Sequence, residues 1–391
     1  MAKYFELIEI NMSIKRILII SDIHIGEEND STTNLTVATP ELPTNRNPME
    51  SLKEFLLENN IEIDAILNLG DVTNKGYPAG WYAGIRMLRE LSLKFDCPLI
   101  STPGNHDYVL NAEGKFVDIL FKGVKDYPTP NDVVNGNFWS EGFCIYEHQN
   151  FQFLICNSEL HLKTKDDLSK SPEYTEEFLS RIKDKLHKMP FDGIRIAIMH
   201  HHIIQHSDLN NPQKSDVIDN GDRLLKILKD EGFFCVVHGH KHQPRIVLWD
   251  NINIIASGSL ASTQNTYISM ITNHFHILVF DVGKSVNASL ESYKFIKDNG
   301  CQAITDTAYN IQPVEGLGYN GDIRELTTEI LKYYSSEFET RTFLSTKDIV
   351  RDFPLINSFS KKQKNAFCNI CKELGYEIYI TGFDILLMKK K

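Results

Sequence analysis

The sequence is short of several things, and each shortage closes a class of function. No run approaches the ~20 consecutive apolar residues that a membrane-spanning helix needs. The opening residues MAKYFELIEINMSIKR hold no apolar stretch of signal-peptide length. Cysteines number only seven, an odd count with no compact framework, which argues against a disulfide scaffold and for reduced thiols. These features together give the expectation of a cytoplasmic protein that has no membrane partner. Internal repeats and low-complexity tracts are absent, so a solenoid is not expected. Basic residues are also in deficit: 41 Lys and Arg against 52 Asp and Glu give a net charge of -11. A field of that sign repels polyanions rather than steering them in. The exception is local. From Arg341 to Lys391 there are ten Lys/Arg and five Asp/Glu, a balance of +5, so the remainder carries -16.

What is present is a repeated pattern. The 391 residues suffice for one large domain and a smaller one. Five short apolar runs each end abruptly in polar residues. Arg16 to Ile20 leads into Ser21-Asp22-Ile23-His24, and Ala65 to Leu69 into Gly70-Asp71. Pro98 to Ser101 leads into Gly104-Asn105-His106-Asp107, Ile194 to Met199 into His200, and Phe233 to Val237 into His238-Gly239-His240. Helical patterns fall between them at Met49 to Glu58, Trp81 to Phe95, Thr175 to Lys188 and Gly221 to Asp230. Buried strands alternating with helices predict an α/β domain, with function at the strand exits. Strands take over after Ser259, at His274 to Asp281 and near Asn287 to Tyr293. Glu27 to Pro48 is a polar loop expected near the site, and Lys115 to Trp139 is expected to cap it.

The exit residues form one donor set. Asp22 and His24 lie two apart, and at an extended strand end that spacing turns both the same way. His240 and His242 repeat the spacing on a turn that opens with glycine. Gly70 lets the backbone of Asp71 come close, Asn105 offers a neutral carbonyl oxygen, and His200 adds an imidazole. Three oxygen and four nitrogen donors without a thiolate suit Mn, Fe or Zn better than a closed structural zinc site. His201 and His202 follow His200 directly; strand-exit position favours His200, with His201 the alternative. Arg245 and Ser259 stand close in sequence to the last ligands. A phosphate contact and a plain surface role are both open for them. His238, His274 and His276 read as structural strand residues, and Cys368-Asn369-Ile370-Cys371 as core packing on a helix from Lys361 to Leu374.

The ordered set D-x-H, G-D, G-N-H-D, H and G-H-x-H closely resembles the signature of the calcineurin-like metallophosphoesterases. It stands here as Asp22-Ile23-His24, Gly70-Asp71, Gly104-Asn105-His106-Asp107, His200 and Gly239-His240-Lys241-His242. A chance run of polar strand ends would not supply five ordered blocks. The resemblance covers about residues 16 to 285 and implies a four-layer αββα sandwich of two mixed sheets. It implies Asp22, His24 and His242 on one divalent ion, Asn105, His200 and His240 on a second, and Asp71 between them. Two ions about 3.5–4 Å apart would present a bridging hydroxide for in-line attack on phosphorus. It further implies His106 near the leaving group, with Asp107 orienting it by accepting the other ring N–H.

The expected organisation is a phosphoesterase domain over 14–298, a linker over 299–321, and a small α+β domain over 322–391 with a winged-helix-like outline. Within that last domain Tyr376 to Met388 reads as a hairpin turning at Thr381-Gly382-Phe383-Asp384. The leading expectation is a phosphodiesterase acting on a nucleotide. The alternatives are a nuclease using the basic C-terminal segment to hold DNA or RNA, a phosphomonoesterase, or a scaffold that has ceased to catalyse. The retained ligand set argues against the scaffold. The acidic bulk argues against strong duplex binding. Oligomeric state leaves no trace in the sequence.

Overall fold

The computed structural model describes residues 13–37, 47–122, 124–205, 216–250, 252–263, 273–282, 286–297, 309–314, 323–341, 343–345, 348–349, 353, 361–381 and 384–389. In chain order its first half contains β1 (Ser13–Ile20), α1 (Pro48–Glu58), β2 (Ala65–Asn68), α2 (Pro78–Phe95), β3 (Leu99–Ser101), β4 (Val109–Leu110), β5 (Phe116–Val117), α3 (Ile119–Lys122), α4 (Asp132–Glu141), β6 (Phe143–His148) and β7 (Phe151–Cys156). There follow α5 (Glu176–Lys188), β8 (Ile194–Ile198), α6 (Gly221–Asp230), β9 (Cys235–His238), β10 (Pro244–Trp249), β11 (Ile252–Ser257), β12 (His274–Val282), β13 (Val286–Lys297) and β14 (Tyr309–Val314). The chain divides into two compact units, residues 1–243 with 256–313, and residues 244–255 with 314–391.

Two sheets organise the first unit. One has the order β14-β13-β12-β1-β2-β3. In it β1 runs parallel to β2 and β2 to β3, while β12 is antiparallel to both β1 and β13. The other contains β9-β8-β7-β6 in sequence, parallel except for the β6–β7 hairpin. The sheets face each other: the Phe280 ring of β12 lies 5.3 Å from Phe151 of β7 and 5.2 Å from Phe234. On the outer face of the first sheet, Leu18, Ile20 and Ile66 pack with Leu52 and Leu56 of α1 and Leu88 of α2. On the outer face of the second, Phe178 of α5 meets Phe143 of β6 at 5.5 Å. Helix, sheet, sheet and helix make four layers. This burial on both faces is why β1, β2 and β8 read as mostly apolar runs rather than alternating ones.

The helices start where local chemistry directs them. Asn47 caps α1 through Oδ1, which accepts from Met49 and Glu50 N–H, and Pro48 occupies the first turn. Thr175 caps α5, whose first turn is acidic and whose last is basic. The β6–β7 hairpin carries no sequence signal at its turn, because Gln149 rather than glycine takes the left-handed conformation, φ 51°. Residue pattern alone does not predict it for that reason. Strand β14 lies inside the stretch expected to be a linker and extends the first sheet beyond β13.

In the second unit lie α7 (Ile323–Tyr333), α8 (Glu337–Thr340), β15 (Leu344–Ser345), α9 (Lys361–Glu373), β16 (Tyr376–Thr381) and β17 (Asp384–Lys389). Its three strands have the order β15-β17-β16, and β16–β17 is the expected hairpin, with Thr381 opposite Asp384. Phe367, Cys368 and Cys371 are buried with Leu326, Ile330 and Tyr334, so the two cysteines are core residues. The tip of the hairpin, His206, Cys301 and residues 38–46 of the expected polar loop lie outside the described residues.

Candidate metal centre

Each of the five polar exits occupies the C-terminal end of a strand. β1, β2 and β3 of one sheet and β8 and β9 of the other deliver side chains to one place, as parallel strands do. Past Ile20 the chain leaves the strand but stays laddered to its neighbour: Asp22 N–H donates to Gly70 O at 3.0 Å and His24 N–H to Asp71 O at 2.9 Å. Ser259 Oγ donates to Asp22 O at 2.7 Å, so this serine supports the Asp22 backbone. Arg245 falls in the second unit.

The shared direction of Asp22 and His24 has a different origin from the one expected. Neither is extended. Asp22 (φ 52°), His24 (φ 50°), Asp71 (φ 53°), His240 (φ 81°) and His242 (φ 56°) all adopt the left-handed conformation. That region is disfavoured for side chains larger than glycine, and its concentration here marks a site whose geometry is held against local preference. Close backbone approach makes the glycines necessary. Gly70 has φ 96°, and a Cβ there would stand 2.5 Å from Gly104 N. A Cβ on Gly104 would fall on Asp71 Oδ1.

Two clusters result, sharing one carboxylate. In the first, Asp22, His24 and His242 converge. His24 Nε2 and His242 Nε2 are 3.0 Å apart, and His242 Nε2 is 3.4 Å from Asp22 Oδ1. In the second, Asp71, His200 and His240 converge, with Asn105 Oδ1 3.2 Å from both His200 Nε2 and His240 Nδ1. Asp71 Oδ2 lies 3.6 Å from His24 Nε2 and 3.2 Å from His200 Nε2, between the two groups.

The hydrogen-bond inventory shows what fits there. His200 Nδ1 donates to Leu69 O at 2.8 Å. In the neutral ring Nε2 is then a lone pair, aimed at carboxylate and amide oxygens that are also acceptors. Such an arrangement calls for a cation. Without one, the ring takes a second proton: burial disfavours the charge, but the Asp71 carboxylate prevails and pushes His200 up to about 10. Burial likewise acts to raise Asp71, and His200 and His106 outweigh it, holding the carboxyl well below its usual range. Burial and the neighbouring cations push His240 down. The seven expected ligands are therefore together, and two divalent ions suit their mixed oxygen and nitrogen character.

Of the consecutive histidines, His200 is the one in the cluster. His201 packs its ring 4.2 Å from that of His240 and lines the cavity, but its Nδ1 is engaged elsewhere, 2.7 Å from Glu159 Oε1 and 3.0 Å from Ser158 Oγ. His238 is buried on its strand, and His276 bonds Ser292 Oγ at 2.9 Å, in keeping with structural roles.

His106 stands beside the first cluster, its ring 4.8 Å from that of His24. Its backbone N–H donates to Asp71 Oδ1 at 2.7 Å. Burial, in part offset by the Asp71 charge, lowers its pKa to about 4. The partner expected for it is not the one it has. Asp107 does not touch the His106 ring: Oδ1 accepts Thr73 N–H and Oδ2 accepts Gly104 N–H, each at 3.0 Å. As the third residue of a short 3₁₀ turn, Asp107 folds back to cap the start of that turn. His106 Nδ1 instead lies 3.1 Å from Asn74 Oδ1 and 3.3 Å from Lys75 N. Asn74 is in turn oriented by donation to Asp30 Oδ2 at 2.7 Å. The sequence offered no sign of this beyond the position of Asn74 three residues after Asp71.

A cavity of about 680 Å³ opens over the clusters. Asp71, Asn105, His106, His240 and His242 form its floor; Leu110, Phe116, Leu162 and Leu168, the ring of Tyr108, the polar Glu159, His161 and His201, and four lysines, Lys75, Lys165, Lys170 and Lys241, line the rest. Lys241 is paired with buried Asp216 at 2.5 Å and Lys170 with Asp167 at 2.6 Å.

Comparison with known proteins follows the same lines. The family model for calcineurin-like phosphoesterases matches residues 15–244. Among curated proteins none matches the chain. Solved structures that resemble it include a single mutant of Vps29 from Entamoeba histolytica, with 11% identity over 76% of this chain and 98% of that one and a TM-score of 0.34. A putative 5'-nucleotidase from Staphylococcus aureus shows 12% identity over 79% and 56%, TM-score 0.40. The phosphopantetheinyl hydrolase of Mycobacterium tuberculosis shows 14% identity over 63% and 90%, TM-score 0.36.

Proposed function

The chain belongs to the calcineurin-like phosphoesterase family, hydrolases of phosphoesters, and from that premise we propose that it is a phosphodiesterase acting on a nucleotide-sized substrate. The observation that carries this reading is the pair of clusters around Asp71, in which the free nitrogen of His200 is aimed at carboxylate and amide oxygens that only accept. Asp22, His24 and His242 would hold one divalent ion and Asn105, His200 and His240 the other. When bound, the ions neutralise phosphoryl oxygens and make a coordinated water acidic enough to attack near neutral pH.

The chain's own groups do the rest. Asp71 sets the spacing of the two clusters and, through Oδ1, fixes the His106 backbone. Nδ1 of His106 faces Asn74 Oδ1, to which it donates when protonated, and the Lys75 amide, from which it accepts when it is not; either bond leaves the other ring nitrogen for the oxygen that departs from phosphorus. Gly104 and Gly239 let backbone approach Asp71 and Asp22 without a clash. A cavity of about 680 Å³ matches small-molecule sites, and its lysines suit an anionic ligand. Its dimensions favour a nucleotide over a nucleic-acid duplex, whose binding takes a far larger surface.

The test is a substrate panel with manganese-loaded and chelator-treated protein: bis-p-nitrophenyl phosphate, cyclic and linear nucleotides, p-nitrophenyl phosphate and single-stranded DNA. Diester and nucleotide cleavage that disappears with chelation and returns with manganese is expected. Cleavage of the monoester alone would end the diesterase reading, and cleavage of DNA with nucleotides untouched would favour the nuclease.

A further inference from the structure

The cavity is two-sided in a way that the five signature blocks do not require. Its floor is polar and tied to the backbone by hydrogen bonds of Asp22, Asp71 and His200. One wall carries an apolar cluster and comes from two segments outside the blocks, β4–β5 (residues 109–117) and the loop after β7 (residues 159–170), the second of which also sets Glu159, His161, Lys165 and Lys170 around that cluster. Leu110 and Phe116 project from the first segment and Leu162 and Leu168 from the second.

The wall is built rather than accidental. Val109 pairs with Val117 and Leu110 with Phe116, and Asn111 Oδ1 ties the turn by accepting Glu113 and Lys115 N–H at 3.0 and 2.9 Å. The two segments are joined to each other: Phe116 N–H donates to Lys163 O at 2.8 Å, and Lys115 bridges to Thr164. Asp167 Oδ2 pins the second segment by accepting Lys163 and Thr164 N–H at 3.0 and 2.7 Å. Leu162 is buried beneath, while Leu110 and Leu168 remain 42% and 41% exposed. Single exposed leucines are ordinary. Here they lie on one wall of a concave site, continuous with a polar floor, which is how small-molecule sites are made.

We propose that this wall is the subsite for an apolar group esterified to the substrate phosphate, an aryl or nucleobase-like ring held by Leu110, Phe116, Leu162 and Leu168 while the phosphate sits on the floor. The proposal deepens the phosphoesterase reading and rests on it. The continuity of wall and floor selects the occupant: a ring attached to the phosphate reaches the leucines without leaving the cavity. The sequence from His106 through Tyr108 to Leu110 also joins the histidine assigned to the leaving oxygen to the wall.

The test compares methyl phosphate with phenyl phosphate, ligands that differ only in the apolar group. Both are titrated calorimetrically into the manganese-loaded full chain and used as competitive inhibitors of bis-p-nitrophenyl phosphate hydrolysis. Phenyl phosphate is expected to bind about 10-fold tighter or better, the return on burying a ring. In Leu110→Ser/Leu168→Ser the preference should collapse to within about 2-fold, with methyl phosphate affinity and thermal midpoint unchanged, since neither residue belongs to the buried core. The single Leu168→Ser variant serves if the double one is unstable. Equal affinity of the two esters for the natural chain overturns the proposal, and so does a preference that survives both variants. Failure of the activity reading looks different: no diester is cleaved with manganese, while the calorimetric preference for phenyl phosphate still reports on the wall.

Discussion

The floor and the wall of the cavity are made by opposite means. The floor consists of strand exits, backbone held at left-handed φ, and side chains fixed by obligatory hydrogen bonds. The wall consists of a two-residue ladder, a 3₁₀ turn and leucines half open to solvent. A cation tolerates little variation in ligand type or distance, so its residues must come in a restricted order. An apolar ester group asks only for area and shape, which many side chains supply. On the proposed reading chemistry is concentrated in the floor and substrate choice in the wall, and the two should respond differently to substitution.

The most damaging change should be Asp71→Asn. It keeps the shape but removes the charge shared by both clusters. Loss of an outer partner to a metal ligand costs about 10- to 100-fold, and loss of the shared ligand should exceed it, on the order of 10³-fold in kcat. Bound manganese, read by atomic absorption after desalting, should fall below two per chain. Full activity with two ions retained would show that the floor does not depend on a shared carboxylate. Phenyl over methyl phosphate selectivity, measured on whatever binding remains, should be unchanged.

Gly104→Ala comes next. No charge or donor is lost, but the added methyl meets Asp71 Oδ1 and the Asp71 backbone, 2.5 Å from its nitrogen. Backbone cannot yield cheaply, so the carboxylate must shift. Shifts of about 1 Å near the chemistry can cost on the order of 100-fold, and kcat should fall by that much. Circular dichroism should show the fold intact. Normal kinetics for this variant would mean that the 70–71 and 104–105 turns are looser than their packing implies.

These residues also mark how far the sequence could be read. The clustered residues were legible because they follow the ends of apolar runs and because aspartate, asparagine and histidine seldom gather in that order at strand ends by chance. The reason for their convergence was not legible: i and i+2 on an extended strand was the expectation, and left-handed backbone at Asp22 and His24 is the finding. The β1–β2 ladder continues through those residues, a long-range pairing that no local pattern encodes. The resemblance implies Asp107 as the partner of the His106 ring, yet its place on a 3₁₀ turn aims it at the backbone N–H groups of Gly104 and Thr73. The wall left least trace, since its four apolar residues meet only through a contact between segments some fifty residues apart.

Asn74 tests the border between the two regions and should give the smallest effect. It holds the His106 ring through one hydrogen bond of 3.1 Å and coordinates nothing. Asn74→Ala leaves the Lys75 amide still facing Nδ1, so the ring loses its acceptor partner and keeps the donor that holds the other tautomer. A neutral hydrogen bond of this kind contributes about 0.5–1.5 kcal/mol, which sets an expected fall in kcat of roughly 2- to 10-fold. Because Asn74 acts through the ring, His106→Asn alone should cost more than Asn74→Ala, and adding Asn74→Ala to it should cost little further. Manganese content and the preference for phenyl phosphate should both stay as in the natural chain. If Asn74→Ala instead raised KM for the aryl diester with kcat intact, Asn74 would belong to substrate choice, and the division between a chemical floor and a selective wall would have to be redrawn through this residue.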